Sequence, residues 1–170
     1  MTRTVWQRLD LLARNLSPFA ITTLLILLGM VPLGLPDVSP VLPSLALIAV
    51  YYWTVHRPDL MPIWAVFLIG LFQDFLGGGA VGVGTLVLLL VRGIVNAQRR
   101  YFANASFVVL WFVFILVAIG AQSLLWMLTS AYHGVVFDPR SAAFQGLTTI
   151  ALYPCLVWIF AQAQRAFLRP

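Results

Sequence analysis

Residues 105–130, ASFVVLWFVFILVAIGAQSLLWMLTS, form an apolar run with no charged side chain, longer than the ~20 residues that cross a bilayer as a helix. Five further apolar runs lie near 18–35, 40–56, 61–76, 80–96 and 142–163. Backbone N–H and C=O groups in hydrocarbon have no water to bond, so a spanning run must be a helix or part of a closed barrel. Alternating strand patterns are absent. The expectation is therefore an all-α integral membrane protein with six transmembrane helices, a single polytopic domain over residues 1–170. The second and third runs are short, and their flanking tryptophans and tyrosines can sit among the headgroups. A composition of 62% hydrophobic and 9% charged residues, with mean hydropathy +0.98, excludes an ordinary soluble domain.

Charge orients the helices. Lysine and glutamate are absent, so the net +5 comes from ten arginines against five aspartates. Arg3, Arg8 and Arg14 precede the first run, Arg57 joins the second to the third, Arg92, Arg99 and Arg100 mark the turn from the fourth to the fifth, and Arg165 and Arg169 follow the sixth. Only Arg140 falls on the other side. By the positive-inside rule this places both termini in the cytoplasm. The pI near 10.2 then reflects membrane orientation and not nucleic-acid binding. Residues 1–16 carry Val5, Leu9, Leu12 and Leu16 opposite Arg3, Gln7, Asp10 and Arg14, as in an interfacial amphipathic helix on the inner leaflet. The first run lacks a short apolar region with a small-residue cleavage site, so it reads as a retained helix.

The groups that enzymes need are scarce. Cys155 is alone, which excludes an internal disulfide or a Cys-x-x-Cys pair; its apolar setting suggests a packing role. Asp74 is the one carboxylate within a run, where aspartyl hydrolysis wants two. No Gly-x-Ser-x-Gly appears, and Gly77-Gly78-Gly79 lacks the lysine and hydroxyl of a phosphate loop. His56 and His133 fall at opposite membrane faces and cannot share a metal. Neither an enzyme nor a metal or cofactor site is expected.

The most informative segment is Gly70-Leu71-Phe72-Gln73-Asp74-Phe75-Leu76-Gly77-Gly78-Gly79-Ala80-Val81-Gly82-Val83-Gly84. An ionisable group at membrane depth is costly and asks for a reason. Asp74 and Arg92 sit on adjacent antiparallel helices at depths about 12 Å apart, so no direct ion pair is expected. Two readings of Asp74 stand side by side. It caps the start of the fourth helix through N–H groups of the glycine-rich turn, or with Gln73 it lines a polar pocket, open to the outside, for a partner helix or small ligand. Gly70, Gly78 and Gly82 allow close backbone approach, and Gly78-x-x-x-Gly82 has a small-residue packing spacing.

At this segment the chain resembles the MreD family of bacterial rod shape-determining membrane proteins. The resemblance rests on Gly70-Leu71, Asp74, an apolar pair, a small-residue turn and Gly82 between the third and fourth of six runs, with the length and Tyr51-Tyr52-Trp53 in support. It implies a non-enzymatic component of the wall-elongation machinery in the cytoplasmic (inner) membrane. It also implies association with the bitopic scaffold MreC and, through it, with the MreB filament, a SEDS glycosyltransferase and a class B penicillin-binding protein. The implied fold is similar to the substrate-binding subunits of energy-coupling factor transporters, so a small-molecule-binding subunit of such a transporter is the alternative function.

Gln145, Thr149 and Tyr153 recur at i, i+4 and i+8 and should face other helices, lining a central cavity with Asp74 or simply packing. Pro154 frees the carbonyl of Ile150, for which a nearby hydroxyl is the expected partner, and bends the helix. Arg92, Arg99 and Arg100 form the densest basic patch, suited to anionic lipids or a cytoskeletal partner. The outer loop around 131–141, with His133, Asp138, Pro139 and Arg140, is one place for a scaffold ectodomain to dock, although contact between helices within the bilayer is expected to dominate.

Overall fold

The computed structural model describes residues 20–25, 27, 43–77, 80–102 and 105–167, with side chains described as far as 162. The amphipathic segment 1–16, most of the first run and Gly78 lie outside the described residues. Every regular element described is helical. Residues 20–25 form α1, followed by α2 (Leu45–His56), a 3-10 turn (Pro58–Leu60), α3 (Ile63–Gly77), α4 (Val83–Phe102), α5 (Phe107–His133) and α6 (Pro139–Phe167).

Helix α2 is apolar on every side, and a helix of that kind must be buried. Every residue from Ala46 to Thr54 is indeed buried, placing α2 at the centre of the bundle against α4 and α6. Its exit is set by two prolines. The residue before a proline is pushed out of the helical region, and Arg57 (φ −147°, ψ 71°) and Met61 (φ −125°, ψ 67°) both show this, which closes α2 and starts α3 within a few residues. Aromatic rings join the centre to its neighbours. Tyr51 lies 5.1 Å from Phe114 of α5, which stacks 4.2 Å from Tyr153 of α6. Tyr52 stacks on Phe160 at 5.1 Å. The Tyr51 hydroxyl donates to the Leu110 carbonyl at 2.9 Å, fixing the last turns of α2 beside the start of α5.

Several boundaries differ from those expected. Helix α4 runs on to Phe102 and takes Arg92, Arg99 and Arg100 into the helix, because nothing between Val95 and Tyr101 breaks it. The connection expected over 131–141 contracts to 134–138. Gly134 in the left-handed region (φ 65°) ends α5, and Asp138 caps α6 by accepting the Arg140 N–H at 2.9 Å, with Pro139 at the first helical position. The Trp126 indole donates to the Phe137 carbonyl at 3.0 Å and holds the connection down. Cys155, expected to pack inside, is exposed on the outward side of α6 beside Trp158, since the inward stripe is already Tyr153, Leu156 and Phe160. Pro154 does free the Ile150 carbonyl, but the donor reaching it is the Trp111 indole of α5, at 3.5 Å, and not a hydroxyl.

Helix α5 and the Pro139–Gln162 part of α6 are long and apolar enough to cross a membrane, and only 28% of the most apolar stretch of each is buried. Their outward flanks carry Leu116, Met127, Leu147 and Trp158, all well exposed. Water is a poor neighbour for such contiguous apolar surface.

Candidate functional site

The Asp74 segment builds a helix cap from parts eight or more residues apart. Gly82 occupies the N-cap position of α4, its carbonyl accepting the Leu86 N–H at 2.9 Å. A glycine there has no side chain to satisfy the free N–H groups of the first turn. Asp74, near the end of α3, supplies the missing acceptor. Its Oδ2 receives the Gly82 N–H at 2.8 Å, the Thr85 N–H at 3.0 Å and the Thr85 hydroxyl at 2.9 Å. The carboxylate charge also lies at the positive end of the α4 dipole.

Three glycines make that geometry possible, each for a different reason. A Cβ on Gly70 would stand 2.6 Å from the Thr85 Cα, so only a bare backbone lets α3 and α4 approach this closely. A Cβ on Gly84 would collide with Asp74 Oδ1. Gly82 has open space around it but adopts φ +94°, a region open mainly to glycine. The close approach expected of Gly82 is thus replaced by a conformational requirement.

Gln73 is turned away from this cap. With Ser44, Gly84 and Gln122 it borders a cavity of about 30 Å³ between α2, α3, α4 and α5. The side-chain oxygens of Gln73 and Gln122 are both buried without a protein partner. The space is that of about one water molecule, far below the ~300–1,000 Å³ of a pocket for an organic ligand.

The stripe expected on α6 divides between two tasks and does not line this cavity with Asp74. Thr149 is buried, donates its hydroxyl to the Gln145 carbonyl at 2.6 Å and accepts the Ser44 N–H at 2.9 Å, standing in for the cap that α2 lacks. Gln145 is half-buried one turn earlier, and Tyr153 belongs to the aromatic core. Arg92 is likewise committed. Its Nε–H donates to the Met61 carbonyl at 2.8 Å, bracing the α2–α3 turn, which leaves Arg99 and Arg100 as the exposed members of the basic patch. The Arg100 guanidinium lies 5.2 Å from the centre of the Tyr101 ring. His56 and His133 end α2 and α5 at opposite ends of the bundle, each bonded to a carbonyl of its own helix.

Thr85, Gln122 and Trp111 were not singled out from the sequence. A signal existed for Gln122, an amide inside an otherwise apolar run, and for Thr85, a hydroxyl three residues after a glycine that cannot cap.

Fold and site together define a protein, helical throughout its described elements, in which the one described carboxylate within an α-helix, Asp74, holds two helices together through a cap. Comparison with family models adds the kinship: the chain belongs to the MreD family, matching rod shape-determining protein MreD over residues 12–163. No curated protein and no solved structure matches it. Membership implies a role in rod-shape determination.

Proposed function

We propose that this chain is a non-enzymatic, multi-pass protein of the bacterial cytoplasmic membrane that binds an MreC-type scaffold. Through the scaffold it helps direct peptidoglycan synthesis by the elongation complex of MreB-type filament, SEDS glycosyltransferase and class B penicillin-binding protein. The family match over residues 12–163 carries this reading. The apolar outward flanks of α3, α5 and α6 support a lipid environment. Arg57, Arg99 and Arg100 lie at one end of the bundle and Arg140 at the other, as expected for cytoplasmic termini. The three capping bonds to Asp74 Oδ2 and the small volume beside Gln73 speak for a structural hub and against a ligand pocket. The residues most open to a scaffold helix are then the outward apolar side chains, with Gly70, Gln73, Asp74, Gly82, Gln145, Thr149 and Tyr153 setting the frame behind them.

The test is purification from native membranes in mild detergent, followed by mass spectrometry of what accompanies the chain. A bitopic scaffold with wall-synthesis enzymes is the expected result. A transmembrane coupling subunit with paired ATPases would overturn it in favour of an energy-coupling factor type transporter.

A further inference from the structure

Helices α4 and α5 border an apolar groove of about 580 Å³. On α4 it follows Val87, Val91 and Ile94 down to Gln98 and Phe102, and on α5 it follows Val117, Gly120 and Leu124. From Val87 to Phe102 the groove extends about 22 Å at 1.5 Å per residue. That length exceeds the ~15 Å of one bilayer leaflet's hydrocarbon. The groove is open along one side, so an extended hydrocarbon chain can lie along its whole length. Gly120 keeps it open, since a Cβ there would meet nothing within 4 Å.

The two ends of the groove differ in chemistry. Gln98 is the one side chain along it that carries a hydrogen-bonding amide, and it sits at the end where Arg99, Arg100 and Tyr101 are exposed. Tyr101 follows Gln98 by one turn on the same flank of α4, and the Arg100 guanidinium lies against its ring. Exposed guanidinium groups at this end suit a phosphate. A long apolar slot with a cationic, hydrogen-bonding mouth at the arginine-rich end matches an amphiphile with one anionic head.

We propose that the α4–α5 groove seats an acyl chain of an anionic phospholipid of the cytoplasmic leaflet, with its phosphate at the end that carries Arg99, Arg100 and Tyr101. This inference rests on the membrane reading above. The lipid fills the slot that the described side chains of the two helices leave open, so it acts as a structural part of the bundle.

The experiment is native mass spectrometry of the full chain reconstituted with equal phosphatidylglycerol and phosphatidylcholine, then extracted in mild detergent. Wild-type protein should retain one phosphatidylglycerol in preference to phosphatidylcholine by about tenfold. Gly120→Leu, whose Cβ meets nothing within 4 Å and whose branched end enters the slot, should lose the lipid while keeping its thermal transition. Arg100→Ala should keep a lipid but lose most of the preference. Equal retention of both lipids by wild-type protein, or undiminished retention by Gly120→Leu, overturns the proposal. Recovery of the scaffold, followed in parallel with the same variants, reports separately on the function proposed above. Loss of lipid with the scaffold retained supports the seat, and absence of both partners from wild-type preparations counts against each reading on its own readout. Cross-linking of a scaffold helix to Gly120→Cys would also overturn it by giving the groove a protein occupant.

Discussion

The Asp74 carboxylate takes both the backbone N–H and the hydroxyl of Thr85, at 3.0 and 2.9 Å, and thereby joins the last turns of α3 to the first turn of α4. Asp74→Ala leaves these two donors and the Gly82 N–H without an acceptor, with an expected loss of about 1–3 kcal/mol. Thr85→Val removes only the hydroxyl bond and should cost about 1 kcal/mol. Thermal unfolding in detergent measures both. If Asp74 acts as a cap, scaffold recovery per folded molecule stays unchanged in Asp74→Asn. Loss of recovery with full stability would assign the carboxylate to partner binding instead.

The glycines around that bond should differ sharply in tolerance. Gly70→Ala drives a methyl into the Thr85 backbone and should destabilise by about 1–3 kcal/mol through overpacking. Gly82→Ala should cost about 1–3 kcal/mol from its positive φ alone. Gly77→Ala, with nothing near its added methyl, serves as the control and should leave the melting temperature nearly unchanged. Equal effects at all three would mean that the α3–α4 approach is looser than the structure shows.

Trp111 and Pro154 should be energetically coupled. The Trp111 indole reaches the Ile150 carbonyl that the proline frees, at 3.5 Å. Trp111→Phe should cost about 1 kcal/mol in the native background and clearly less alongside Pro154→Ala, where the helix can bond that carbonyl itself. A double-mutant cycle measures the difference, and a zero coupling energy would show that the bond contributes nothing.

Orientation can be read chemically. In a Cys155→Ser background, Val136→Cys, at a position 79% exposed, should react in intact cells stripped of the outer barrier with a membrane-impermeant maleimide. Arg99→Cys should react only after the membrane is permeabilised. The reverse pattern would invert the proposed topology.

Helicity and the apolar runs were legible in the sequence because each is a property of a local segment. Family kinship was legible for a related reason: the aspartate and its glycine-rich turn form one continuous motif, and the family model matches around it. The task of Asp74 was not settled by sequence. A cap and a pocket use the same residue, and the choice depends on whether the turn folds its N–H groups back onto the carboxylate. That is decided by how closely α3 and α4 approach at Gly70 and Thr85. Nor did the spacing of Gln145, Thr149 and Tyr153 show that Thr149 would bond the start of α2 while Tyr153 stacked on Phe114. The Gln73–Gln122 cavity, the Trp111–Ile150 bond and the α4–α5 groove each join segments distant in the chain. Periodicity shows which face of a helix is apolar; which neighbour that face meets, and how closely, is set by packing in three dimensions.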